Sequence, residues 1–485
     1  MNITLGTRGS TSGESAKGSA KEEVLKRDGS SVIDYDAILE AVENKFQLGK
    51  SFLDPEVRRA SSISTGTLVL DLLIGNGGII PGCWLTVFGK EGSAKSTNIM
   101  QMMLAAVISE VPLRLFYDYE GSSADPTYLE NMFLCKINKF SARDLFGVKD
   151  QKGKWVVEPK IHYYGEDIAE RFFDSVKALL KSLPDKVYLN NQWWLRYADD
   201  KAGKAAVGTK FDKRMKKQYK GLYVPATNPY MQAIILLDSY PAMLPEKMDE
   251  REEGGGGIGE QARMFSDNVK KIRSKLRKKQ VTILGVNQLR DKPMVMFGSP
   301  EYEPGGNALK FSSDIRCKFT PRVIPKWFDS KTKGEFQIED DATGKNVDKY
   351  RFIHVRNTKN KTATPFLEGW IRLWIQNAKG KGCGIDPVFD MFEFLRMTGQ
   401  IEGKYKNMTL TMGNLVIKNL DWMHLKRLVL YRGKRLKKLC RILKLKKPIN
   451  LRKRALLQLK NGTADTLMFA TMNEKRKKEK DTVNE

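Results

Sequence analysis

The run Gly89, Lys90, Glu91, Gly92, Ser93, Ala94, Lys95, Ser96 and Thr97 sets small residues, a lysine and two hydroxyls in the order that a chain of phosphates requires. At the opening of a helix, the backbone N–H groups from Gly92 to Ser96 would converge on an anion, helped by the positive end of the helix dipole. Lys95 would reach the outer phosphates, and the Ser96 hydroxyl would bind a divalent cation. The context fits, since residues 84–88 read as a strand before the loop and 98–109 as a helix after it. Ala94 departs from the common pattern, which has glycine before the lysine. If that glycine serves a positive φ, alanine costs about 1 kcal/mol or more. If it serves close approach of the phosphate, a methyl group is tolerated, and this second case is the expectation.

Such a loop needs an acid for the metal shell and a base for the attacking water. Asp238 ends the apolar run 233–237 and is placed to hold the cation through water. A general base must come within hydrogen-bond reach of the proton it takes. Glu120 lies just beyond the run 113–117, with Asp118 as its rival. Gln288 ends another run, where an uncharged amide can sense the outermost phosphate and pass its presence to the loop that follows.

These residues all sit just after short β-rich runs, at 84–88, 113–117, 233–237 and 281–286, with a further run at 315–319. Helical stretches alternate with them, which is the pattern of a parallel sheet covered on both faces. Ligand sites in such folds lie beyond the carboxyl ends of the strands. Two segments interrupt the alternation: a basic, aromatic-bearing insertion at about 185–230 and a hairpin-like excursion at about 321–349. Residues 433–447 read as a basic amphipathic helix stopped by Pro448.

The 485 residues suffice for one large domain with smaller appendages. Lysine and arginine exceed aspartate and glutamate by 84 to 57, a net charge of +27, which points to a polyanionic partner. Much of the excess is local, because residues 425–460 hold 15 lysines and arginines and no acid. The five cysteines, Cys83, Cys135, Cys317, Cys383 and Cys440, form no Cys-x-x-Cys pair and suit a reducing cytosol. No apolar run approaches the roughly 18 residues of a membrane span. Residues 1–28 lack the apolar core of a secretory signal and read as a disordered tail.

Taken in chain order, these pieces resemble the RecA recombinase family over residues 36–403. Residues 63–71, reading ISTGTLVLD, are similar to a family motif before the phosphate loop. Glu120 followed by Asp125 and Tyr128 resembles the family's catalytic glutamate and adenine-stacking tyrosine. Residues 289–301 with 305–311 are similar to its second DNA-binding loop and the segment after it. Lys359 and Lys361 match a Lys-x-Lys pair that, in the family, reaches the neighbouring subunit's ATP. Residues 35–46 resemble the helix that packs on that neighbour.

The resemblance implies an α/β fold, a RecA-type P-loop ATPase core with a mostly parallel central sheet, an N-terminal polymerisation helix and a small C-terminal basic helical region. Its expected divisions are a tail at 1–30, helix and linker at 31–60, core at 61–375, a C-terminal DNA-binding region at 376–470 and a charged tail at 471–485. It also implies ATP and Mg2+ as cofactors, held by residues 89–97, Asp125, Tyr128 and Asp238, with Glu120, Lys95, Gln288, Lys359 and Lys361 as the catalytic set. Residues 253–260 resemble the first DNA loop, with Ile258 as its apolar candidate, and Arg263 and Lys270 match basic positions on the next helix. In the second loop Met294, Val295, Met296 and Phe297 are wedge candidates, and Gly305, Gly306 and Asn307 are backbone contacts. The implied partners are single-stranded and double-stranded DNA and further copies of the chain in a head-to-tail helical filament, with single-strand-binding and mediator proteins as further candidates and no membrane. The implied location is cytoplasmic, the bacterial host cytoplasm if the chain is viral, a reading suggested by the insertions and the basic end. A ring helicase or other DNA-translocating motor on the same fold is the alternative, and a nucleotide-binding scaffold a third.

Overall fold

A computed structural model describes residues 62–472 except 122–124, 199, 220, 227–230, 250–258, 292–300, 322–324, 326–336, 340–345, 349, 376–381, 405–406, 432, 444, 446–448 and 462. The expected N-terminal tail and polymerisation helix, Ile258, and the four wedge candidates Met294 to Phe297 lie outside the described residues, as do residues 473–485.

In chain order, helix α1 (Leu68–Ile74) precedes β1 (Trp84–Gly89), α2 (Lys95–Ile108), β2 (Leu113–Asp118), α3 (Pro126–Asn131), β3 (His162–Gly165) and α4 (Ala169–Ser182). The insertion follows as β4 (Asp185–Leu189), β5 (Gln192–Tyr197), α5 (Asp200–Val207), α6 (Lys213–Gln218) and β6 (Leu222–Pro225). The core resumes with β7 (Ala233–Asp238), α7 (Glu260–Lys279), β8 (Val281–Gln288), α8 (Gly306–Ser312), β9 (Ile315–Pro321), β10 (Tyr350–Asn360), β11 (Glu368–Trp374), β12 (Gly384–Ile385) and α9 (Pro387–Met397). The C-terminal part adds β13 (Ile401–Lys404), β14 (Asn407–Met412), β15 (Leu415–Leu420), α10 (Trp422–Leu430), α11 (Gly433–Ile442) and α12 (Leu451–Lys460).

The central sheet runs β12, β11, β10, β9, β1, β8, β7, β2, β3 from edge to edge. From β9 to β3 the neighbours pair in parallel, and β10, β11 and β12 continue the sheet antiparallel. Both faces are covered, which is why β1 and β7 are buried along their whole length. Alternate residues feed opposite cores, as the two-residue period of a strand demands. Leu85, Val87, Ile234, Leu236, Leu284 and Val286 join one core with α1, α2 and α9. Trp84, Ile235, Leu237, Val281 and Ile283 join the other with Phe172 and Phe173 of α4 and Phe265 and Ile272 of α7.

The mostly parallel α/β core expected from the sequence is the observed one. The boundary expected at 375 is not. Strand β12 pairs with β11 inside the central sheet, and Asp390 of α9 accepts from the Leu68 and Val69 N–H groups at the start of α1 at 2.8 and 3.0 Å. The first core continues through Leu425, Leu436, Leu451 and Leu459, so the C-terminal helices close the same interior instead of forming one of their own. A short apolar run such as Cys383 to Ile385 carries too little pattern to announce itself as an edge strand. The excursion at 321–349 does contain an antiparallel pair, Gln337–Glu339 with Asn346–Asp348.

Candidate nucleotide site and its neighbours

The phosphate-loop candidate leaves β1 at Gly89 and turns directly into α2, whose first residue is Lys95. The helix thus starts three residues earlier than the sequence pattern suggested, and Lys95, Ser96 and Thr97 all stand in its first turn. Gly92 has φ +68° and Ala94 has φ +61° with ψ 30°, the left-handed region. Ala94 therefore corrects the expectation of mere close approach: this position requires a positive φ, and an L-residue there costs about 1–2 kcal/mol. Left-handed residues in such a turn aim successive N–H groups into one concavity, an anion-binding arrangement.

Lys95 is 7% exposed, its Nζ donating to the Lys90 carbonyl at 2.8 Å and standing 3.4 Å from Ser93 Oγ. Burial pushes the Lys95 amine below its ordinary pKa, while the carboxylates of Asp238, Glu120 and Glu91 pull it back up. Beside the loop lies a pocket lined by Ser96, Thr97, Glu120, Asp125 and Tyr128 over an apolar floor of Met100 and Leu129. Asp125 caps α3 by accepting from Thr127 N at 2.9 Å, and Tyr128 shares a 3.1 Å hydrogen bond with Thr97 Oγ1. An arginine that the sequence gave no reason to suspect also meets the loop: Arg351 Nη1 donates to the Gly92 carbonyl at 3.0 Å.

The ends of β2, β7 and β8 bring together the expected acid, base and amide. Asp118 and Asp238 are register partners, and Asp238 is 1% exposed. Glu120 Oε1 accepts from Gln288 Nε2 at 2.9 Å and from Ser239 Oγ at 2.6 Å. The rival Asp118 is spent on structure: its Oδ1 accepts from Glu120 N and Gly121 N at 3.1 and 3.0 Å, and its Oδ2 from Tyr163 at 3.2 Å. Buried to 2% exposure, it braces the turn that presents Glu120. Ser239 was missed, although it follows Asp238 directly and its hydroxyl was in plain view.

Past Gln288 the chain enters a two-residue ribbon in which Arg290–Asp291 pairs with Glu301–Tyr302, closing the base of the second DNA-loop candidate. Lys90 of the phosphate loop reaches this base, 2.8 Å from Asp291 and 3.7 Å from Glu301. Glu301 in turn meets Lys318 at 2.7 Å, and Glu303 pairs with Arg316. Gly305 and Gly306 have positive φ, and a Cβ on Gly306 would stand 2.8 Å from that of Ala262, so the glycines let α8 lie against α7. Asn307 follows in the first turn of α8. Arg263 and Lys270 are exposed on α7, opposite the face that buries Met264, Phe265 and Val269.

Lys359 and Lys361 are not brought to this chain's own phosphate loop. Lys359 pairs in register with Arg316 near the start of β9, whereas Gly89 pairs with Phe319 near its end. The Lys359 amine donates to the carbonyls of Lys310 and Phe311 at 2.6 and 2.9 Å. Burial, with Lys361 and Arg316 close by, pushes its pKa down to about 8.

A family model described as the RecA N-terminal domain matches residues 230–378, the stretch that carries Asp238, Gln288, both DNA-loop candidates and the Lys359–Lys361 pair. Protein RecA of Rubrobacter xylanophilus is 27% identical over 335 residues, covering 69% of this chain and 72% of that protein. Protein RecA of Thermus aquaticus is 26% identical over 367 residues, covering 75% and 80%. The chain is thus similar to RecA proteins over about three quarters of its length. Protein RecA of Lactococcus lactis subsp. cremoris matches at 26% over 309 residues, 64% of this chain and 58% of its own length. A solved RadB recombinase overlaps at 14% identity with a TM-score of 0.35, over 66% of this chain and 98% of that one, a superposition too slight to carry weight. No helix among the described residues is long and apolar enough to cross a membrane.

Proposed function

We propose that this chain is an ATP-dependent DNA strand-exchange recombinase, a DNA-stimulated ATPase that assembles as a helical filament on single-stranded DNA for recombination and repair. One observation carries the reading: strand β8 ends in an amide bonded to Glu120 and runs straight into a loop base that is tied to Lys90. A single strand thus joins the phosphate end of the molecule to a loop suited to DNA.

ATP fits the donor set of residues 89–97, with Asp125 and Tyr128 beside the base end. Mg2+ fits between the Ser96 hydroxyl and, through water, the buried Asp238, where it would neutralise phosphate charge. Lys95 holds the outer phosphates, and Glu120 takes the proton of the attacking water. Gln288 reports on that carboxylate to residues 289–301, where Met294, Val295, Met296 and Phe297 would wedge between bases and Gly305, Gly306 and Asn307 would approach phosphates. Ile258, Arg263 and Lys270 complete the DNA surface. Lys359 and Lys361 serve the next copy's nucleotide, which the distance from their own loop supports, and residues 35–46 dock the copies head to tail.

Strand exchange between circular single-stranded and linear duplex DNA tests the proposal. Joint molecules that need ATP, formed by filaments visible in negative stain, are the expected result. Closed rings that unwind duplex without pairing homologues would overturn it in favour of a translocating motor.

A further inference from the structure

The insertion at 185–225 takes no part in the site described above. Its small core of Trp194, Met215 and Tyr223 is separate from the two cores of the main sheet. It is moored to the main body where Asp185 pairs with Lys278 and Lys279 at 3.1 and 2.8 Å. Gln232 Nε2 reinforces the mooring by donating to the carbonyls of Pro184 and Lys279 at 2.9 and 2.8 Å. All three cation and carbonyl partners on the main body except Pro184 belong to the last turn of α7. The described ends of the DNA-loop candidates, Gly259 and Gly305–Gly306, meet the opposite end of that helix, whose 20 residues span about 30 Å.

Its charge is lopsided. Residues 185–225 hold ten lysines and arginines against four aspartates and no glutamate. Two of those acids are occupied within the fold: Asp185 in the mooring, and Asp212 as the cap of α6, accepting from Arg214 N and Met215 N at 2.8 and 2.9 Å. On α6, Met215 turns inward while Lys213, Arg214 and Lys217 are exposed, with no acidic partner among the described residues. Lys204 and Lys210 are exposed just before them, and Lys275, Arg277 and Lys278 line the adjoining turn of α7.

We infer that the insertion is a second DNA-contacting surface that grips the phosphate backbone of duplex DNA, apart from the strand held by the loops. The mooring lies at the end of α7 away from Gly259 and Ala262, about 30 Å of helix from the described ends of the loop candidates, so the insertion would meet a different stretch of DNA. The surface favours duplex over single strands because its cations stand clear, whereas its aromatic rings are engaged with each other and with the small core. Tyr188 packs edge-on to Trp193 at 5.1 Å, and Lys186 covers that indole at 5.4 Å, so the Trp193 ring is already engaged where a base would stack.

The test uses the full chain, labelled duplex DNA and no ATP, so its outcome is independent of the strand-exchange assay. Lys213→Glu/Arg214→Glu/Lys217→Glu should flatten the slope of log K against log salt by roughly 2 to 3, at ~0.9 per lost phosphate contact. Glutamate suits the first turn of α6 at positions 213 and 214 but not the last turn at 217, so the same three positions changed to glutamine supply the measurement if the glutamates disturb the helix. A control carrying Lys139→Glu/Lys152→Glu/Lys154→Glu removes the same charge from exposed sites elsewhere and should leave the slope alone. An unchanged duplex slope in the α6 variants overturns the inference, and is what a docking surface for an acidic protein would give. An equal loss in the control, or an equal loss for single-stranded DNA, overturns it as well.

Discussion

Gln288 Nε2 lies 2.9 Å from Glu120 Oε1, and Ser239 Oγ lies 2.6 Å from the same oxygen. Two uncharged donors from neighbouring strands thus fix the carboxylate without neutralising it. Glu120→Gln should cut ATP turnover by about 10² to 10⁴, the usual worth of a general base, while ATP-dependent DNA binding survives. Ser239→Ala should cause a smaller loss with an unchanged KM for ATP. Normal hydrolysis by Glu120→Gln, alongside a folded but inactive Asp118→Asn, would move the base to Asp118.

The pairing of Lys90 with Asp291 ties the phosphate-loop candidate to the base of the second DNA-loop candidate, and under the proposed function it would couple them. Both partners are well exposed, so the pair adds little to stability and its effect should fade with salt. Lys90→Asp or Asp291→Lys alone should raise the DNA concentration that half-stimulates the ATPase, most clearly at low ionic strength. The exchanged pair should bring that concentration back toward the starting value, and two additive losses would show that the contact couples nothing.

Because Ala94 sits at φ +61°, Ala94→Gly should raise stability by about 1 kcal/mol, the left-handed penalty less glycine's own entropy. Melting curves with and without ATP measure it. A destabilised Ala94→Gly protein would mean that the methyl packing outweighs the backbone cost.

Two buried carboxyls at the start of α1, Asp71 on the helix itself and Asp390 meeting it from α9, tie stability to pH. Asp71, bonded to Ser64 and Thr65, is pushed up to about 7 by burial, and Asp390 to about 6 for the same reason. The unfolded chain ionises these groups near 3.8, so between about pH 4 and 7 the folded state binds more protons. Their contribution is therefore full at acid pH and lost as pH rises through 6 to 7. The melting temperature should fall from pH 5.5 to 7.5, and Asp71→Asn should flatten that slope. An identical pH profile in the variant would show that Asp71 is charged in the fold throughout.

Helix α11 exposes Lys434, Arg435, Lys437 and Lys438 while burying Leu436, Leu439 and Cys440. Reversing those four charges should flatten the duplex salt slope by roughly 3 and spare single-strand filaments. Charge reversal is the proper probe because deleting the C-terminal helices would uncover the first core, and unchanged slopes would remove duplex DNA as the partner of this helix.

The central strands were legible because runs such as residues 233–237 are apolar on both faces, and the phosphate loop because its chemistry is local. What escaped notice depends on distant partners. Arg351 meets Gly92 across 259 residues, and nothing near either announces the other. The φ of Ala94 is a property of the turn rather than of alanine, whose own preference is the reverse. The core crosses the boundary expected at 375 because an apolar helical face, legible at 433–447, does not say which interior it closes.

Gly89 pairs with Phe319 and Lys359 with Arg316, so on one subunit the phosphate-loop candidate and the lysine lie at different points along β9, and under the proposed function each would need a neighbouring copy to complete a nucleotide site. Stacked head to tail, n copies then carry n − 1 joined sites and two dissimilar tips, one with an idle phosphate loop and one with idle lysines. Growth and loss at the two tips are different reactions, so a row of such subunits has a direction in time as well as in space.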